Sequence, residues 1–113
     1  MRKIPTKLRE EMSEDPYYAH CCIADSTCSG RIEWHHNLIY AGRQVNSRFC
    51  ILPLCQGHHR AADASSTKER LDRIMLNRAE DEELQEFYKA DLIGKKKRLN
   101  DNYLRKHTEQ EEL

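Results

Sequence analysis

The sequence predicts a small α+β domain: two short strands and a helix cross-linked by side chains, with a charged N-terminal arm and C-terminal helices. Three observations predict it. Residues 20–59 hold all five cysteines and five of the six histidines. Two segments suited to strands, 31–36 and 49–52, flank a polar stretch. From Ser66 onward apolar residues recur at helical spacing. The organisation expected is an arm over 1–16, a cross-linked core over 17–65 and a helical extension over 66–113.

The elements follow in order. Pro5 and Pro16 punctuate the arm, with room for a short helix between them. Arg31-Ile32-Glu33-Trp34-His35-His36 reads as a strand. Asn37 to Ser47, with Gly42 and Asn46, reads as a loop. Phe49-Cys50-Ile51-Leu52 suits a second strand, and Pro53 is expected to end its ladder. Cys55 to Asp63 looks like a turn entering a helix. Ser66-Thr67-Lys68-Glu69 matches a capping box, ahead of Leu71, Ile74, Met75 and Arg78. A further helix is expected from about Asp81, with acid in its first turn, an apolar face of Leu84, Phe87, Tyr88 and Leu92, and a stop at Gly94. A last, basic helix is expected from Lys95 to about Thr108, carrying Leu99 and Tyr103.

Composition bounds the function. Of 113 residues, 38% are hydrophobic and 34% charged, with mean hydropathy −0.92. So thin a core usually recruits a metal, disulfides or a partner. No apolar run approaches the ~20 residues of a spanning helix. The segment from Met1 to Leu8 is charged without the apolar stretch of a secretory signal. A cytoplasmic protein with no membrane role is expected. An odd cysteine count in such a chain argues for metal rather than disulfides. Lys+Arg and Asp+Glu are 19 each, a net charge of zero. Residues 89–106 nevertheless carry seven lysines and arginines against two aspartates, while acid gathers at Glu80 to Glu83 and Glu109 to Glu112. The run Lys95-Lys96-Lys97-Arg98 suits a phosphate backbone, or is a solvated helix face.

The cysteine spacing carries the first specific chemistry. Five residues separate Cys22 from Cys28 and two separate Cys55 from His58, with 26 residues between the pairs. Two close pairs joined by a longer loop make a tetrahedral Cys₃His cage for a structural Zn²⁺ that staples the start of the core to its end. Cys21 is an adjacent rival for Cys22. Cys50 reads as a small core residue. The alternative is that these are simply buried thiols.

That cage leaves His35, His36 and His59 unused. Neighbours on a strand point to opposite faces, so His35 and His36 cannot readily share one task. His59 adjoins the cage ligand His58 and points elsewhere, and Asp63 follows four residues later on the same helix face. Two imidazoles and a carboxylate make an open, exchangeable site of the kind catalysis uses.

At this point the residues resemble a known family. Trp34-His35-His36, followed after a gap by Ile51-Leu52-Pro53-Leu54-Cys55-Gln56-Gly57-His58-His59, resembles the HNH nuclease motif, the ββα-metal fold. The cysteine pairs resemble the zinc knuckles that many HNH proteins, phage-encoded ones included, place around it. The resemblance covers about residues 20–64. It implies that His35 and His59 ligate a catalytic Mg²⁺ or Mn²⁺, that His36 is the general base, and that Asp63 matches a further ligand of some members. It implies hydrolysis of DNA phosphodiesters to 5′-phosphate and 3′-hydroxyl ends. The family's middle asparagine, which orients the base, falls at Cys50 here; Asn46 is the nearest substitute and Asn37 directly follows the base.

The chemistry is consistent with those roles. Imidazole, with an ordinary pKa near neutrality, can take a proton from water. A divalent ion acts as a Lewis acid on the phosphate and the leaving oxygen. Arg43 and Arg48, between the strands, are candidates for phosphate contacts, since the guanidinium fork suits phosphate oxygens. Duplex DNA is the expected partner, with a homodimer through the C-terminal helices possible. A non-catalytic zinc module binding nucleic acid or protein is the competing reading, because it needs the cage but not the three spare histidines.

Overall fold

The structure, a computed structural model, describes residues 4–111. Met1 to Lys3, Glu112 and Leu113, and the side chains of Tyr88 and of residues 107–111, lie outside the described residues. The architecture is α+β, as expected. The elements are α1 (Thr6–Glu14), β1 (Ile32–His36), β2 (Ile39–Tyr40), β3 (Arg43–Gln44), β4 (Ile51–Cys55), α2 (Gln56–Arg60), α3 (Ser65–Arg78), α4 (Asp81–Gln85) and α5 (Leu92–Glu111). Short 3₁₀ turns cover Pro16–Ala19, Arg48–Cys50 and Tyr88–Ala90.

Strands β1 and β4 pair antiparallel, His36 opposite Ile51, Trp34 opposite Pro53 and Ile32 opposite Cys55. The second strand therefore runs later than the sequence predicts, and Pro53 lies inside it. The reason is geometric. The Pro53 carbonyl accepts from Cys22 N–H at 2.8 Å on the outer edge of the two-stranded sheet. In an antiparallel strand a residue's N–H and C=O face the same side, so the N–H that proline lacks is not one β1 would have used. The predicted loop holds a small hairpin of β2 and β3, turned by Ala41 at φ 53° and Gly42 at φ 78°. Two consecutive left-handed residues make the turn whose twist fits a two-residue hairpin.

Every residue of β4 is buried, which explains its unbroken apolar run. Leu52 and Leu54 join Leu38, Phe49, Leu71, Met75, Leu76 and Leu84 in the main core. On the opposite face Ile51 packs with Ile4, Met12 and Tyr18, and with Trp34 beside them. The N-terminal segment is thus more than a charged arm. Met12 is wholly buried, and the Tyr18 hydroxyl donates to the carbonyls of Arg48 and Ile51 at 2.7 and 3.0 Å.

The helices depart from prediction at their ends. Ser66 does not cap α3; Ala64 holds that position and Ser66 sits exposed in the first turn. The reciprocal capping pair forms at α4, where Glu80 N–H donates to Glu83 Oε1 at 3.0 Å. Gly94 does not end a helix. It lies in the first turn of α5, where its N–H donates to Asp91 Oδ1 at 3.3 Å, and a Cβ at that position would collide with the same carboxylate. Leu84 and Phe87, the apolar face offered to a second copy, pack into the main core instead. Exposed apolar side chains on α5 are Ile93, Tyr103 and Leu104. Among the described residues no helix is long and apolar enough to cross a membrane.

Candidate metal centre and the adjoining histidines

The cage forms with one change of ligand. Cys21, Cys28, Cys55 and His58 bring their donor atoms within 4.8 Å of one another, a Cys₃His group that could hold a metal ion such as zinc. The distances from His58 Nδ1 to the three sulfurs are 3.5 Å (Cys21), 3.6 Å (Cys28) and 3.2 Å (Cys55). A tetrahedral zinc with Zn–S about 2.3 Å and Zn–N about 2.05 Å sets S···N near roughly 3.6 Å. The donor set therefore fits the ion both in chemistry and in size.

Cys22, the ligand predicted from spacing, is not in the group. Its N–H is committed to Pro53 O, and that bond orients the segment so that the Cys21 sulfur turns inward. The Cys22 thiol is half-buried beside Tyr17, and burial, with the Cys21 thiol next to it, pushes it up to about 11. A protonated, tucked-away thiol is a poor ligand. Cys50 behaves as predicted for a core residue: burial pushes it up to about 11, and its Sγ donates to the carbonyls of Ser47 and Val45.

Backbone amides favour thiolate in the cage. Cys55 ends β4 and caps α2, its sulfur accepting from the N–H groups of His58 and Ser29 at 3.5 and 3.4 Å. Against the desolvation of burial, these bonds hold its thiol down to about 6. Burial likewise raises Cys21, but the amides of Ala24, Cys55 and Ile23 outweigh it and bring that thiol below its ordinary value. Burial, then the neighbouring thiols of Cys21 and Cys55, pushes Cys28 up. His58 uses Nδ1 toward the sulfurs, and its Nε2 lies 3.0 Å from Thr27 Oγ1 and 3.4 Å from Asp25 Oδ1. A carboxylate behind a ligating histidine fixes its tautomer and raises its basicity.

The histidines outside the cage divide as strand alternation requires. His35 and Glu33 lie on the face of β1 covered by α2. There the His35 and His59 rings meet edge to face, centroids 5.2 Å apart. Glu33 Oε1 accepts from His59 Nδ1 at 2.9 Å, and that contact holds the Glu33 carboxyl below its usual value. Burial, then the nearby His59, presses His35 below the ordinary histidine value, which favours the neutral ring a metal requires. Asp63 bears on His35 electrostatically. It does not complete a second converging set of three donors with His35 and His59: among the described residues the Cys₃His group is the one such cluster.

His36 turns the other way, and its Nε2 lies 2.7 Å from Asn46 Oδ1. Asn46, the nearest substitute for the family's middle asparagine, is thus the side chain in contact with that ring nitrogen. Asn37 does not touch the His36 ring; its Oδ1 faces His35 Nε2 at 3.2 Å. His35, His36 and Asp63 share the lining of one cavity of about 260 Å³ with Lys68, Asp72 and Lys95.

The cationic candidates are mostly engaged. Arg48 pairs with Asp15 through one guanidinium nitrogen, and its side chain remains exposed. Lys95 pairs with Asp72 at 2.9 Å, Lys96 with Asp81 at 3.7 Å and Arg98 with Asp91 at 3.9 Å. Lys97 and Arg43 stand exposed. Sequence reasoning missed Glu33 and Asp72. Glu33 was legible in principle, since residues two apart on a strand share a face.

No family model, curated protein or solved structure matches the chain.

Proposed function

We propose that the chain is a metal-dependent endonuclease of the HNH type that hydrolyses phosphodiester bonds in duplex DNA. The observation that carries the reading is the meeting of His35 and His59 at 5.2 Å, with His36 turned away from them onto Asn46. His35 and His59 would hold a Mg²⁺ or Mn²⁺ ion, which when bound supplies Lewis-acid charge at the phosphoryl and leaving oxygens. His36 donates Nε2–H to the Asn46 oxygen, since an amide oxygen only accepts. Its Nδ1 is therefore the lone pair that takes a proton from the attacking water. Glu33 fixes the His59 ring through Nδ1, leaving Nε2 as the donor toward the ion. The Cys₃His group is structural in this account, holding α2 against β1 so that the two rings meet.

Supercoiled plasmid incubated with the zinc-loaded chain and Mg²⁺, Mn²⁺ or chelator tests the proposal. Relaxed or linear product is expected with the ions and none with chelator. His36→Ala, folded and zinc-loaded, is expected to lose at least about a hundredfold in rate. Parental cleavage by that variant would refute the assignment. A second reading, a non-catalytic zinc module, is favoured by one fact: only the Cys₃His donors converge as a set of three or more among the described residues. It expects one tightly bound zinc and no cleavage with either ion.

A further inference from the structure

Two polar side chains are buried among the described residues, Asn37 and Asp72, each 4% exposed, and they are bonded to each other. A buried carboxylate is costly unless it is paired. Asp72 of α3 is held by Lys68 Nζ at 2.6 Å and by Lys95 Nζ of α5 at 2.9 Å. It also accepts from Asn37 Nδ2 at 3.0 Å. An ionised carboxylate only accepts, so this bond decides which end of the Asn37 amide is nitrogen. Lys68 Nζ, 3.4 Å from Asn37 Oδ1, agrees, because an ammonium only donates. The amide oxygen is left facing His35 Nε2 at 3.2 Å, and an oxygen there requires a proton on that nitrogen.

We infer that Asp72 is a positioning residue for His35: through the Asn37 amide it selects the Nε2–H tautomer and leaves Nδ1 as the donor toward a divalent ion. The inference rests on the reading of His35 as a metal ligand and deepens it. It accounts for a charge buried on α3 between the core residues Leu71 and Met75. It also gives α5 a part in the site, since Lys95 reaches back to complete the clamp. His35 on β1 is thereby tied to α3 and α5, helices outside the strand–strand–helix core.

The test uses zinc-loaded, ¹⁵N-labelled chain without Mg²⁺ or Mn²⁺, reading the His35 tautomer from long-range ¹H–¹⁵N spectra near neutral pH. The parent is expected to show Nε2–H alone. In Asp72→Asn the acceptor that fixes the Asn37 amide at 3.0 Å becomes an amide that can donate or accept, leaving only the longer 3.4 Å contact from Lys68 to favour that orientation, and a mixture with Nδ1–H is expected. Mn²⁺ affinity, followed by electron paramagnetic resonance, is expected to fall about tenfold. Should that variant lose its fold, Asn37→Ala breaks the link from its other end while Asp72 keeps both lysines, and the same loss of tautomer preference is expected. A parent found as Nδ1–H overturns the inference. So does a folded variant that keeps both a single Nε2–H tautomer and parental Mn²⁺ affinity. A parent that binds no Mn²⁺ counts against the nuclease reading, and the tautomer measurement still decides this one.

Discussion

Replacing Cys21 by serine should remove the metal and much of the stability, whereas replacing Cys22 should do neither. An ion held by the cage would join Cys21 to His58, closing a segment of 38 residues. Loop-closure entropy for a cross-link of that span is about 4 kcal/mol. A domain of this size carries an unfolding entropy near about 0.24 kcal/mol per kelvin, so losing the staple should lower Tm by about 16 °C. Cys22 is half-buried and outside the cage, so its serine variant should lose about 1 kcal/mol, or about 4 °C. Thermal unfolding with and without chelator, alongside metal content by elemental analysis, measures both. Cys21→Ser should be metal-poor and insensitive to chelator; Cys22→Ser should keep one zinc and respond to chelator as the parent does. The reverse pattern, or a parent whose Tm ignores chelator, would refute the reasoning.

Other consequences are open to measurement. Met12→Ala empties a wholly buried position against Tyr18 and Ile51 and should cost about 3 kcal/mol in denaturant unfolding; a surface arm would lose almost nothing. Asn46→Ala frees the His36 ring and should slow plasmid cleavage by about tenfold or more, with zinc content unchanged. The Tyr17 amide, then Arg48, holds the Asp15 carboxyl below its ordinary 3.8. A depressed native pKa contributes stability above the unfolded value, and that contribution is lost as pH falls through the native one. Parent should therefore exceed Asp15→Asn in stability at neutral pH, with the gap closing only below about pH 4; a gap that widens on acidification would contradict the pairing.

What could be read in the sequence was what depends on local spacing. Cys55, His58 and His59 follow from the turn between β4 and α2, and the separation of His35 from His36 follows from strand alternation. The choice between Cys21 and Cys22 was not legible, because a single tertiary bond, Cys22 N–H to Pro53 O, decides which sulfur turns in. Pro53 reads as a terminator in any central strand; only the two-stranded sheet makes its position harmless. Asp72 carries no local signal in the sequence; its partners Lys95, 23 residues away, and Asn37, 35 away, are brought to it only by the fold. The capping box legible at Ser66–Glu69 does not form, while the pair Glu80–Glu83, which lacks the usual Ser or Thr, does.

The central claim is that two donor sets coexist, a thiolate cage and an imidazole pair beside it. Co²⁺ titration of the metal-free chain tests it most directly. The first equivalent should give intense tetrahedral bands with sulfur-to-metal charge transfer, and a second, weaker equivalent should add a spectrum without sulfur character. His59→Ala should abolish the second and spare the first. A single equivalent in the parent, or a second unaffected by that substitution, would contradict the account.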